Sequence, residues 1–382
     1  MIPLLLLLVV AASSLHAQSS AAFRAVDAAV EEGIRLGTYP AAVVVVGRRD
    51  SVLHAKGFGH FTWSNGTSRP DPRTSLWDIA SLSKVVATAS AVATLVQRGQ
   101  LDLEAPVSRY LTDFAGGSKD QVTVRMLLDH TSGLPAYSPI HRGQPTLAAA
   151  RSKVLTVPLT RTPGREALYS DLNAMLAAMV VESAAGAPFA DVTRREVFEP
   201  LGMRATLWKL PSPDQTRAVP TARVSGRSIG GVVNDLNART LGGVAGHAGV
   251  FSTGLDLGRF AQSWLRALGT PEATTWLTTA TATRFTERGL TSGTRALGWD
   301  TPNLSPDDGG PALYGWCATS TTLGHTGWTG TLLWLDPASD IFVVFLTNRS
   351  YAPRNEKRSF DQIRMIRAKV SDAARSAVGK GC

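Results

Sequence analysis

The sequence predicts a mixed α/β fold of the α+β kind: an antiparallel sheet flanked by N- and C-terminal helices, with a mainly helical region inserted between its strands. Three observations carry this expectation. Strand-like segments rich in Val, Ile and Thr lie near the start of the chain and again near its end. From about Leu76 to Leu268, most segments show helical apolar spacing and are joined by Gly/Pro loops. The length of 382 residues and the 44% hydrophobic content supply a sizeable core, for one large domain or two closely joined ones.

In chain order, the first feature is a leader. Leu4 to Ala12 contains no polar residue and is followed by small residues, with cleavage expected after Ala17. The run is too short to span a bilayer, which takes roughly 20 apolar residues. Residues 1–17 are therefore expected to be a signal peptide. The mature chain would be periplasmic or extracellular, without a stable membrane anchor. Residues 20–382 are expected to form one domain, with a sheet part at about 21–72 and 290–382 and a helical part at about 73–289. Ala21 to Arg35 has one apolar helical face (Phe23, Val26, Ala29, Val30, Ile34). Ala41–Val46 and Ser51–Gly57 read as strands around a Gly47–Asp50 turn. Late strands are expected at Ala296–Trp299, Leu313–Ala318, Thr331–Leu335 and Ile341–Thr347. A terminal helix at 356–378 carries Phe360, Ile363, Ile366 and Val370 on one face.

Charge excludes more than it suggests. The chain has 39 basic and 30 acidic residues, a net +9, and 31 of the basic residues are Arg. They are scattered, with only short pairs such as Arg48-Arg49, Arg194-Arg195 and Lys357-Arg358. A nucleic-acid surface clusters its charge, so this pattern reads as a solvated exterior with no nucleic-acid partner. The seven histidines show no ligand spacing, so neither a metal nor another cofactor is expected. Two cysteines in so long a chain exclude a disulfide scaffold. Cys317 and Cys382 could pair in an exported chain, but nothing in the sequence places them close, so free thiols are expected, with Cys317 buried in a strand.

Three segments carry chemistry. Ala80-Ser81-Leu82-Ser83-Lys84 precedes a helix running through Val96, and a Lys three residues after a Ser shares its helical face. A serine nucleophile needs a neighbouring base, and a buried Lys can be that base or assist it. Alone, S-x-x-K equally describes a Ser N-cap followed by a solvated Lys. The second segment, Tyr169-Ser170-Asp171, stands just before a helix that ends at Gly186. There Ser170 can cap the helix and the Tyr169 hydroxyl can reach a cleft. In the third, Gly324-His325-Thr326-Gly327-Trp328-Thr329-Gly330-Thr331, small residues beside a strand edge let a substrate pair with the backbone.

Together and in order, the three segments resemble the S-x-x-K, Y-x-N, K-T-G signature of the serine β-lactamase and penicillin-binding-protein superfamily, most closely its class C β-lactamase-like esterase and DD-peptidase branch. The segments Met126–Pro135, Pro200–Met203, Leu241–Thr253 and Leu297–Trp299 also look like the family, and the likeness covers roughly residues 25–350. It implies a β-lactamase/transpeptidase-like fold and a serine hydrolase that forms an acyl-enzyme on Ser81. Lys84 would be its partner, and Tyr169 would shuttle the proton to the leaving group. Residues 324–331 (His325, Thr326, Gly327, Trp328) would hold the substrate, with the Ser81 and Trp328 backbone N–H groups as oxyanion hole. The substrate would be a small molecule or peptide, such as a cell-wall peptide, an ester or a β-lactam. A monomer is expected.

Two positions depart from the signature: Asp171 replaces Asn, and His325 replaces Lys. A carboxylate near Lys84 would hold it charged and shift proton abstraction to Tyr169. Losing the K-T-G lysine leaves Lys84 as the one cation expected in the cleft. Esters or peptide-like amides are then expected to be preferred over anionic β-lactams. A slowly deacylating penicillin-binding sensor is the rival reading. A further alternative is Gly226-Arg227-Ser228-Ile229-Gly230, which matches G-x-S-x-G and, with Asp300 and His325, gives an α/β-hydrolase order. However, no clear helix follows it. His247, in a Gly-rich turn, is expected to be structural.

Overall fold

The computed structural model describes residues 21–269, 276–303 and 313–381. The leader and Cys382 lie outside this range.

One antiparallel sheet organises the molecule. It contains β1 (Ala41–Arg48), β2 (Ser51–Gly59), β3 (Leu323–Thr326), β4 (Leu332–Asp336) and β5 (Ile341–Thr347), in the order β2-β1-β5-β4-β3. The two early strands pair around a tight turn, with a register shift at Val46/Gly47, and β1 then pairs with β5. Both faces of the sheet are covered, which explains why β1 and β5 are nearly continuous apolar runs, not alternating ones. Val44, Val46, Val343 and Phe345 pack under α1 (Arg24–Arg35) and α5 (Ser359–Ala377). Val43, Val45, Phe342 and Val344 face the helical part through α4 (Gly254–Gly269). Gly254 lets α4 enter this close, since a Cβ there would sit 2.8 Å from Val43 Cγ1. The helical part also holds α2 (Ser90–Gln97), which continues from a π-helical stretch at Lys84–Ala89, and α3 (Asp171–Ala185).

Several expectations need correction. Ala296–Trp299 and Leu313–Ala318 form no strands. The first sits between isolated bridges at Arg295 and Asp300, and the described part of the second is turns. Trp299 is instead a core residue against Phe260 and Trp264, so an apolar run here marks burial without pairing. Cys317 is disulfide-bonded and half-buried in a turn, not a free thiol in a strand. Ser170 occupies the N-cap position of α3 but makes no capping bond, because its hydroxyl donates to Pro135 O at 2.6 Å. Nor do the arginines lie wholly on a solvated exterior. Arg375 is fully buried, donating to Asp336 Oδ2 (2.7 Å) and Thr322 Oγ1 (2.8 Å), and so clips α5 to β4 and to the turn entering β3.

Removing one member of a buried ion pair strands the other charge. Arg375→Ala should therefore cost about 3–5 kcal/mol of unfolding free energy in denaturant titrations. Exposed Arg73→Ala should stay within about 0.5 kcal/mol.

Candidate active site

Ser81 lies on a short 3-10 turn, Ala80–Leu82, at the foot of the π-helical stretch. That turn places the residue three positions on beneath it. Lys84 is buried, and its Nζ donates to Ser81 Oγ at 2.9 Å and to His247 O at 3.2 Å. Its third partner is Asp171 Oδ1 at 2.8 Å, at the start of α3. Tyr169, two residues earlier, places its ring 4.9 Å from the same ammonium. The S-x-x-K and Y-x-N-like segments thus meet at one nitrogen.

The electrostatics follow from this packing. Burial disfavours the Lys84 ammonium, but the charge of Asp171, aided by Tyr169 and by the hydrogen bonds the ammonium donates to both, outweighs it and holds Lys84 above the ordinary lysine range. Burial likewise pushes Asp171 up, and the Lys84 ammonium more than reverses this, leaving Asp171 below the usual carboxylate range. The expectation that Asp171 would keep Lys84 charged is met.

His325 sits in edge strand β3, opposite Leu333, so the third segment is the β3–β4 hairpin with its turn at Gly327–Gly330. His325 is buried. Desolvation, then the nearby Arg295 and Lys84 charges, hold it well below the usual histidine range, so it is neutral at pH 7. Its Nδ1 donates to Thr326 O at 2.8 Å. Its Nε2 therefore carries a lone pair, and this buried atom has no partner among the described residues. Where the signature has a cation, this chain offers an acceptor. Gly327 presses the hairpin onto the serine turn: a Cβ there would meet Thr331 Oγ1 at 2.2 Å and Ile79 O at 2.7 Å. Trp328 is exposed and packs edge-on against Phe360, with ring centroids 4.9 Å apart.

These groups line one cleft of about 1000 Å³ that includes Ser81, Tyr169, Asp171, His325, Thr326, Gly327 and Trp328. Sequence reasoning missed several other contributors. Arg295, Arg364 and Arg367 also line the cleft, correcting the expectation of a single cation. Arg295 stands 4.9 Å over the Tyr169 ring, on the run just before Leu297-Gly298-Trp299, and Asp300 is its partner at 3.5 Å. Arg367 reaches in from α5, and its guanidinium donates to Gly327 O (3.0 Å) and Thr331 O (2.8 Å). No local motif marks it, forty residues from the turn it holds. His130 was visible only as part of a family-like segment. Its ring lies 4.7 Å from that of Tyr169, and its Nδ1 accepts from Ser170 N and Asn173 Nδ2, both at 3.1 Å. His247, expected to be structural, both supplies the carbonyl for Lys84 and lines the cleft. Its Nε2 lies 2.9 Å from Asp235 Oδ1. Ser228 does not join this group. It sits on a short strand, Arg227–Ile229, within a two-strand hairpin and bonds to Tyr351 Oη at 2.7 Å, without the strand–turn–helix that G-x-S-x-G requires.

A serine hydroxyl bonded to a charged lysine beside a tyrosine, under a hairpin edge, is an acyl-transfer arrangement. The comparisons agree. A β-lactamase family model matches residues 26–366, and the chain belongs to the β-lactamase family. It is a serine hydrolase of that family. The N-acetylmuramyl-L-alanine amidase of Bacillus subtilis (strain 168) is 30% identical over 371 residues, covering 88% of this chain and 82% of that protein. A protein of Escherichia coli (strain K12), provisionally named a D-alanyl-D-alanine carboxypeptidase, is 27% identical, covering 82% and 80%. Among solved structures, a class C β-lactamase superposes with a TM-score of 0.73 at 19% identity, covering 92% of this chain and 96% of that one.

The Lys84–Asp171 pair sets a pH-dependent stability. Asp171 has a depressed folded pKa, so its contribution is present above the ordinary value of 3.8 and disappears as pH falls through the folded value. Asp171→Asn should lower unfolding free energy by on the order of 3 kcal/mol at pH 7. The difference from wild type should shrink below the ordinary carboxylate value, in denaturant titrations at stepped pH.

Proposed function

We propose that the protein is an exported serine hydrolase that cleaves a peptide-like amide by acyl transfer to Ser81. The observation that carries this is the 2.9 Å contact between Lys84 Nζ and Ser81 Oγ, with Tyr169 over the same ammonium. Lys84 is held charged by Asp171, so it serves as a fixed cation for negative charge on Ser81 and Tyr169, and Tyr169 is the group that moves the proton. Ser81 Oγ attacks the carbonyl, the amine leaves with the proton, and water then hydrolyses the ester. In this reading the Ser81 and Trp328 backbone N–H groups are the oxyanion donors, and the unpartnered His325 Nε2 accepts a hydrogen bond from the substrate.

The two relatives named as an amidase and a carboxypeptidase support an amide substrate of the cell-wall peptide type. So does Arg295, which restores a cation to a cleft that lacks the signature lysine and can bind a carboxylate beside the scissile bond. The apolar leader and the disulfide at Cys317 support export to an oxidising compartment.

Ser81→Ala should abolish turnover of a p-nitrophenyl ester and of an acyl-D-Ala-D-Ala peptide by at least about a thousandfold. Arg295→Gln should raise KM for the free-carboxylate peptide by about tenfold or more and leave KM for its C-terminal amide nearly unchanged. Turnover of a chromogenic cephalosporin far faster than that of either substrate would overturn the amide preference.

A further inference from the structure

Asp78 is a buried carboxylate that this acyl-transfer chemistry does not use. It stands three residues before Ser81, outside every motif. Between them is Ala80, whose φ of 49° lies in the left-handed region that disfavours a side chain. Such a turn persists only where its surroundings over-determine it. Asp78 Oδ1 accepts from Ala80 N at 2.9 Å, and Oδ2 accepts from Asn234 N at 2.6 Å. Next to Asn234 is Asp235, which holds His247, and the His247 carbonyl holds Lys84. The main chain of the same segment is tied from the other side: Asp78 O accepts from Thr329 Oγ1 (2.9 Å) and Ile79 O from Thr331 Oγ1 (3.0 Å). One short segment therefore joins the serine turn, the β3–β4 hairpin and the Asn234–His247 segment, in which Asp235 caps a short helix, Leu236–Thr240.

We propose that Asp78 is a positioning residue: its two carboxylate oxygens hold the left-handed turn at Ala80, and with it Ser81, against the segment that bears Asp235 and His247. The inference rests on Ser81 being the nucleophile. Two backbone N–H groups converge on the side chain, and only an ionised carboxylate offers both an acceptor with no competing donor. An amide would turn an N–H toward one of them. The charged groups acting on it are Asp235 and Arg239, of opposite sign. Burial raises the carboxyl to about 6 against the pull of the two backbone donors, so the full clamp exists above that pH and loses an acceptor below it.

The test uses the neutral p-nitrophenyl ester, with kcat and KM measured across pH for wild type, Asp78→Asn, Ala80→Gly and the double variant, alongside thermal unfolding. Asp78→Asn should lower kcat by at least about tenfold, toward the hundredfold that a misplaced reacting group costs, with KM within about threefold. Wild-type kcat should fall below about pH 6, and Asp78→Asn should lose that fall. Ala80→Gly should recover much of the lost kcat in the double variant, since glycine takes this φ without strain. Unchanged kcat in Asp78→Asn, absence of glycine rescue, or loss that merely tracks the unfolded fraction would each overturn the proposal. If Asp78→Asn does not fold, Ala80→Gly alone decides: its acid limb should flatten, and an unchanged limb overturns the clamp. Full turnover by Ser81→Ala would instead sink the nucleophile assignment, a separate outcome.

Discussion

A buried ammonium must find charge and hydrogen-bond partners, and the site is built around how Lys84 finds them. Its partners come from separate places: Ser81 on its own turn, Tyr169 and Asp171 at the head of α3, and the carbonyl of His247 from the loop before α4. Leaving any of them unmade would expose the full desolvation cost of the charge. Forming the pair thus fixes where α3 and that loop sit relative to the serine. Catalytic geometry and helical-part packing are not separable here, because one ion pair carries both.

The sheet supplies the other half of the site by the same logic of complete satisfaction. The β3–β4 hairpin is an edge, the part of a sheet freest to drift. Arg367 ties its turn to α5 through Gly327 O and Thr331 O, while Thr329 and Thr331 tie it to the segment ahead of Ser81. Gly327 is the contact that makes this approach possible, since any side chain would strike Thr331 and Ile79. At its far end the edge is closed as well, since Gly324 exchanges both backbone hydrogen bonds with Asp300 at 2.8 Å, so the hairpin is held on every side around Ser81.

What the sequence made legible was whatever chemistry is written locally. Ser81, Lys84, Tyr169, Asp171 and the 324–328 segment were readable because each belongs to a short signature, and their order reveals that they converge. Strands β1, β2, β4 and β5 and the terminal helices were readable from strand-like runs and one-sided helical faces. What was hidden is set by tertiary contact. Arg295, Arg367, His130 and Asp78 act on groups distant in sequence or through a backbone turn, so neither periodicity nor spacing distinguishes them from ordinary residues. The expected strands at Ala296–Trp299 and Leu313–Ala318 failed for a related reason. Short apolar runs report burial, and burial can be met by packing against Phe260 and Trp264 without any strand partner.

The arginine excess takes on a different meaning once the side chains are placed. A surface of scattered guanidiniums would be interchangeable with lysine, yet Arg349, Arg367 and Arg375 are buried and donate to carbonyl, hydroxyl or carboxylate oxygens inside the fold. A planar fork can bridge two carbonyl oxygens at once while its stem fills apolar space, which a lysine ammonium does poorly. Burial draws Arg367 down to about 9 and Arg349 down to about 10, and a lysine placed at either position would be at risk of losing its charge altogether. Part of the net +9 is therefore internal scaffolding that holds the hairpin and α5 in place. The cleft itself is of mixed sign, with Asp78, Asp171, Asp235 and Asp300 facing Arg295, Arg364 and Arg367. Net charge consequently says little about the substrate, and the placement of individual carboxylates and guanidiniums around Ser81 says a good deal.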